Sequence, residues 1–157
     1  MLSTDDIGDR GQWLLALLMT QLCGRDVPYF RPRFLGDKYP TFDFIVELVD
    51  HPQYYFFVQV KTTTKGYTKK PPHRLLVKVT QNDIDRMVAC PAPSYVVGID
   101  DPGQIGFLLS INESRSQMTN MTTQFPIDCK LLKKLATEVR NYWTSRNMIL
   151  KDSQFKE

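Results

Sequence analysis

Apolar residues recur at helical spacing near the start of the chain. Trp13, Leu14, Leu17 and Leu18, with Leu22 beyond them, follow an i, i+3, i+4 rhythm. A helix is therefore expected over about Ile7–Leu22, with Gly24 placed to end it. Gly8 and Gly11 weaken its first turn. Tyr29–Phe34 reads as an edge strand or an irregular piece, because Pro32 cannot donate to a ladder. Phe42–Val49 and Tyr54–Lys61 are rich in β-branched and aromatic residues and flank a turn at Asp50-His51-Pro52, which predicts a hairpin. A polar loop through Gly66, Pro71 and Pro72 then leads to a short strand, Leu75–Val79. Thr80 offers N-cap chemistry for a short helix to about Ala89, which Pro91 and Pro93 end. Ser94–Ile99 and Gly106–Ile111 read as two strands on either side of the Asp101-Pro102-Gly103 turn. Asp128–Arg146 closes the pattern as an amphipathic helix, with Leu131, Leu132, Leu135, Val139, Tyr142 and Trp143 available for one face.

This order of helix, several strands, helix, two strands and helix implies an α/β (α+β) architecture, a central mixed sheet flanked by helices. Residues 1–157 are expected to form one domain, since no repeat, low-complexity tract or linker divides them. Composition agrees with a packed core: 42% of residues are hydrophobic, with nine Phe, seven Tyr and two Trp. The apolar run Trp13–Met19 is too short for a membrane span, which needs about 20 residues. Asp5, Asp6 and Asp9 stand where a secretion signal needs positive charge. Cys23, Cys90 and Cys129 are odd in number and show no CxxC spacing, so neither a disulfide framework nor structural zinc is expected. Cys90 and Cys129 read as ordinary small apolar residues. A cytoplasmic, reducing setting is the corresponding expectation.

Charge adds a direction to this picture. The net charge is only +3, yet no acidic residue lies between Asp50 and Asp83. That stretch carries Lys61, Lys65, Lys69, Lys70, Arg74 and Lys78 with His51 and His73. Lys65, Lys69, Lys70 and Arg74 are candidate nucleic-acid contacts, because a one-sided basic surface suits a phosphate backbone. A solvated basic loop accounts for the same residues.

The hairpin carries the candidate chemistry. Residues two apart in a strand share a face. Phe44, Val46 and Leu48 share one face with Phe56, Val58 and Val60 if both trios enter the core. The opposite face then gathers Asp43, Glu47, Gln59 and Lys61. Register decides the matter, because a one-residue slip reverses every side chain. Asp43 must lie opposite Gln59 or Lys61, or be brought there by a bulge, whereas a plain pairing with Val60 splits the group. Magnesium takes oxygen ligands: Asp43 offers charge, Gln59 an amide oxygen and Val60 a backbone carbonyl. Lys61 is placed to orient the attacking water or to neutralise charge growing on a phosphate. The structural alternatives are an Asp43–Lys61 ion pair and a Gln59 side chain that only satisfies backbone.

Tyr39-Pro40-Thr41-Phe42-Asp43, followed by a strand and then Gln59-Val60-Lys61, resembles the PD-(D/E)XK restriction-endonuclease-like superfamily in its QxK, Mrr-type variant. Gly11-Gln12-Trp13, Phe57–Thr63, Tyr95–Asp100 and Gly106-Phe107-Leu108 extend the resemblance to a bacterial domain-of-unknown-function family within it. The resemblance spans roughly Gly8–Ile111. It implies a restriction-endonuclease-like core and a Mg2+- or Mn2+-dependent nuclease that hydrolyses phosphodiester bonds of DNA, acting in antiviral defence against foreign DNA. Asp43, Gln59 and Lys61 are then the catalytic residues, with Asp43, Gln59 and Val60 as metal ligands. Two departures reduce the negative charge: Gln12 stands where many members carry a first-helix glutamate, and Gln59 replaces the second acidic ligand. Gln12 and Glu47 are therefore candidate auxiliary residues, against the plainer readings of a helix-surface amide and a surface glutamate.

His51 and His73 lack metal-ligand spacing and a nucleophilic partner, and read as structural or exposed. Trp13, Trp143 and Tyr54-Tyr55 read as core or interface. Thr62, Thr63 and Thr64 suit either a phosphate track or a strand end. Two further functional classes compete with the nuclease: a catalytically inactive nuclease-fold module that binds nucleic acid or a protein, and a subunit active only with a partner. For a duplex cutter of this length, sequence specificity implies a homodimer or a partner subunit.

Overall fold

The computed structural model of the protein describes residues 1–146 and 149–157. Its elements follow in the order α1 (Thr4–Met19), β1 (Phe30–Phe34), β2 (Phe44–Leu48), β3 (Tyr55–Thr63), α2 (Gln81–Ala89), β4 (Ser94–Asp100), β5 (Ile105–Ser110) and α3 (Cys129–Thr144). The strands form one sheet in the order β1-β2-β3-β4-β5. Neighbours are antiparallel except β3 and β4, which run parallel. A parallel pair needs a long crossover, and the segment containing α2 supplies it. This mixed sheet with helices on both faces is the architecture expected from the pattern.

Each sheet face buries its own core. On one face Phe44, Val46, Leu48, Phe56 and Val58 pack with Tyr95, Val97 and Ile99 beneath Leu15 and Met19 of α1 and Leu132, Leu135 and Val139 of α3. On the other, Phe42, Val96 and Phe107 pack against Ile84 and Met87 of α2. The alternation in the hairpin therefore sends its apolar trios to one side, as expected, with Val60 only partly buried among them. α2 begins where Thr80 receives a bond from the Asp83 N–H at 3.2 Å. α3 begins at Asp128, whose side chain accepts from the Leu131 N–H at 2.8 Å.

Two elements differ from the sequence reading. α1 starts at Thr4 rather than Ile7, because Ser3 and Asp6 form a reciprocal capping box. It also turns a different face to the sheet. Gly11, Leu15 and Met19 are buried, whereas Trp13 and Leu17 are 67% and 68% exposed. Gly11 decides this: a Cβ there would overlap the Thr62 hydroxyl, so the helix touches β3 along its smallest residue. The expected strand Leu75–Val79 forms isolated bridges, Leu75 to Tyr67 and Met121 and Val79 to Met118, and no ladder. Leu75, Val77 and Val79 are buried in alternation, but the partner segment is too irregular to continue a ladder.

The cysteine reading is corrected. Cys23 and Cys129 form a disulfide with a Cα–Cα distance of 5.5 Å, leaving Cys90 free. The two are separated by 106 positions, so only the packing of α1 and α3 on one sheet face brings them together. The cysteine pattern therefore gives no ground for a reducing compartment. Closing so long a loop removes much denatured-state entropy. Reduction with dithiothreitol, or Cys23→Ser, is expected to destabilise the protein by about 2–4 kcal/mol, read as a lowered urea midpoint. No helix among the described residues is long and apolar enough to cross a membrane.

Candidate active site

The end of the hairpin brings the acid to the strand that carries the amide. Phe44 pairs with Val58 and Ile45 with Phe57. At the next position the ladder slips by one residue: the Asp43 N–H also reaches the Val58 carbonyl, at 2.9 Å, so Asp43 and Phe44 stand opposite one residue as in a bulge. The chain then turns away: Thr41 has φ of 66°, and the Phe42 N–H bonds back to the Pro40 carbonyl at 2.7 Å. Such a φ is unusual for a β-branched residue and marks a constrained turn. Gln59 and Lys61 share the face covered by α2, and Asp43 joins them at the end of β2, where the charges of Lys61 and Asp83 both act on it.

That strand end also exposes a backbone acceptor. Successive residues of a strand direct their N–H and C=O groups to alternate neighbours. Phe57 and Thr63 bond toward β4, through Pro93 and Asp101, while Val58 bonds toward β2. Val60 therefore also faces the β2 side, where the ladder has ended. Its N–H donates to Asp43 Oδ2 at 2.6 Å. Its carbonyl opens in the same direction, past the start of β2. Gln59 is 4% exposed, and its Oε1 has no hydrogen-bond partner. An orphaned buried acceptor costs about 1–3 kcal/mol, a cost relieved by a donor or a cation.

A residue outside the sequence-predicted site completes the cluster. Asp83, in the first turn of α2, lies 3.9 Å from Lys61 Nζ through Oδ2 and accepts from Thr41 Oγ1 at 2.9 Å through Oδ1. The signal that points to it is positional: a carboxylate three residues after the cap Thr80 on the crossover helix between the two central parallel strands. The carboxylates at 43 and 83 respond oppositely. Burial pushes Asp43 above the usual carboxylate range, against the pull of the Val60 N–H and the Lys61 charge, and Asp83 and Asp37 push it further. Burial also opposes ionisation of Asp83, but the Gln59 amide and the Thr41 and Thr80 hydroxyls beside it, with the Lys61 charge, hold it below that range.

The remaining candidates lie elsewhere. Glu47 is on the same face as Asp43, yet four residues further along the strand, about 13 Å away at 3.3 Å per residue. It is engaged with Arg33 at 2.7 Å, so the geometry does not bring it to the cluster. Gln12 is carried by α1 on the opposite face of the sheet and makes no hydrogen bond to Asp43, Gln59, Lys61 or Asp83 among the described residues. Lys65, Lys69 and Lys70 are exposed in the loop that leaves β3 just after Lys61, whereas Arg74 is half-buried and donates to Asn120 at 2.6 Å. His51 stacks on Tyr54, and His73 Nδ1 meets the Thr68 carbonyl at 2.7 Å. Thr63 Oγ1 accepts from the Lys65 N–H at 3.0 Å, a turn contact. Trp143 packs on Tyr55 and donates to its carbonyl at 2.8 Å.

No group of three or more His, Cys, Asp or Glu gathers as a metal cage among the described residues. A cation at this site must therefore rely on the amide and backbone oxygens as well as carboxylate. The donor set of Asp43, Gln59 Oε1 and the Val60 carbonyl is all oxygen, which fits Mg2+ or Mn2+ better than a softer metal.

No protein-family model matches the chain, and no curated protein matches it. Among solved structures it is similar to a bacterial homing endonuclease, I-Ssp6803I. The TM-score is 0.58 at 15% sequence identity, covering 93% of this chain and 100% of that one. The chain thus has an endonuclease-like fold, a mixed five-stranded sheet between helices.

Proposed function

We propose that the protein is a Mg2+- or Mn2+-dependent nuclease that hydrolyses phosphodiester bonds in DNA, with the QxK form of the PD-(D/E)XK site. One observation carries the proposal. A buried, unpartnered Oε1 belongs to Gln59, one residue from Val60 on β3, where Asp43 holds the Val60 N–H and the Val60 carbonyl opens past the start of β2. The endonuclease-like fold supports it. Asp43, Gln59 and the Val60 carbonyl hold the divalent cation, which when bound polarises a phosphoryl oxygen and makes hydroxide available near neutral pH. Asp43 is kept in place by the Val60 N–H. Lys61 brings its ammonium to the phosphate and stabilises the charge that grows there. Lys65, Lys69 and Lys70 lie along the path of a phosphate backbone leaving the site, a contact that salt weakens. A role in defence against foreign DNA, and action as a homodimer or with a partner subunit, belong to the same proposal.

The competing reading is a fold retained for binding nucleic acid or a protein. The observation in its favour is that Gln59 brings no charge to the site. Incubation of supercoiled plasmid with the protein separates the two. Nicked or linear product is expected with Mg2+ or Mn2+ and none with EDTA. Absence of product from duplex DNA, single-stranded DNA and RNA with either metal overturns the nuclease and favours the binding module.

A further inference from the structure

We infer that Asp83 is a positioning residue that sorts the two ends of the Gln59 amide, so that Oε1 rather than Nε2 is presented to a cation beside Asp43. This rests on the metal site proposed above. A glutamine amide carries a donor end and an acceptor end of nearly the same size, but it ligates a metal only through oxygen. Left unsorted, it presents the wrong end in part of the population. An ionised carboxylate only accepts hydrogen bonds, so it discriminates between the two ends.

The geometry supplies that discrimination. The Gln59 side chain lies close enough to the Asp83 carboxylate to help hold it ionised, while its buried Oε1 has no partner. Nε2 is therefore the end directed at Asp83, and Oε1 is turned away from it. Rotating the amide by half a turn would set two acceptors against each other and aim a donor at the cation position. Asp83 is itself held from several sides. The Thr41 hydroxyl donates to Oδ1, Lys61 faces Oδ2, and the N–H of Asp83 is capped by Thr80. The left-handed backbone at Thr41 belongs to the same arrangement, since that turn places its hydroxyl on α2. Outer partners that orient metal ligands in this way typically affect affinity by about 10–100-fold.

Asp83→Asn is the discriminating variant. It keeps the size of the side chain and an oxygen for Thr41, but its NH2 donates to Gln59 Oε1 and so favours the reversed amide. Calorimetric titration of the metal-free protein with Mn2+, with no nucleic acid present, is expected to show affinity lower by about 10–100-fold. The thermal midpoint in EDTA should stay near that of the wild type. Measured against Gln59→Glu alone, the double variant Gln59→Glu with Asp83→Asn is expected to bind Mn2+ equally well, because a carboxylate needs no sorting. A structural or purely electrostatic role for Asp83 predicts the same loss in both backgrounds. Asp83→Asn binding Mn2+ within twofold of the wild type, or a loss of the same size when Asp83→Asn is added to Gln59→Glu, overturns the inference. Because no nucleic acid enters the titration, it decides the role of Asp83 whether or not the protein cleaves. A wild-type protein that binds no Mn2+ overturns both this inference and the metal site beneath it.

Discussion

Lys61→Ala is expected to lower the cleavage rate by at least about 10²–10³-fold, the loss found when a preorganised donor to transition-state charge is removed. Stability should change by less than about 1 kcal/mol, because the ion pair it gives up is long and partly solvated, 3.9 Å to Asp83 with Lys61 32% exposed. The two outcomes together separate chemistry from folding. Lys61→Arg should restore little, since a planar guanidinium does not place its charge where a compact ammonium stood. Single-turnover cleavage of plasmid, with a thermal melt of each variant, checks this. Cleavage by Lys61→Ala within about fivefold of the wild type would remove the residue from the mechanism.

Asp43→Asn should abolish metal binding and cleavage while stabilising the metal-free protein. Burial raises the Asp43 pKa in the fold, so the folded state binds its proton more tightly than the unfolded chain does. Stability then falls as pH rises from the unfolded value toward the raised one, and above that window the penalty is fully present. Asparagine carries no such penalty and still offers an oxygen to the Val60 N–H. In EDTA at pH 7–8 the variant should melt higher than the wild type, by about 2–4 °C for each kcal/mol relieved. The gap should shrink as pH falls through the raised value and Asp43 takes up its proton. Saturating Mn2+ should reverse the order, because only the wild type gains binding energy, about 2.7 kcal/mol at a hundredfold excess over Kd. A variant that melts lower than the wild type in EDTA at pH 7 contradicts the burial argument. One that still cleaves contradicts the ligand role.

Both predictions concern residues that were legible in the sequence, and the reason is periodicity. In the hairpin, Phe44–Val46–Leu48 and Phe56–Val58 enter one core, which fixes the opposite face as the side of Gln59 and Lys61, while Asp43 is brought to them by the bulge opposite Val58. Thr80 likewise announces α2 through cap chemistry, and the apolar rhythm from Leu131 to Trp143 announces α3. What escaped sequence reading depends on contacts between distant segments. The face of α1 is set by Gly11 meeting Thr62, and a glycine leaves no mark in a hydrophobic pattern, whereas the exposed Trp13 and Leu17 leave a misleading one. The disulfide depends on α1 and α3 packing side by side. Asp83 reads as an ordinary helix-start acid until the crossover lays α2 over β3 and points it at Thr41 and Lys61. Glu47 shares the face of Asp43, but alternation says nothing of distance along a strand, and Arg33 holds it at the other end.

The most direct measurement is a crystal of the protein soaked in Mn2+, with anomalous scattering used to locate the ion. The account predicts one dominant peak about 2.1 Å from Asp43, Gln59 Oε1 and the Val60 carbonyl, with Lys61 Nζ close by and unligated. A peak bound by other residues, or no peak at that strand end in a crystal where the Asp43 carboxylate is free to bind, would contradict it.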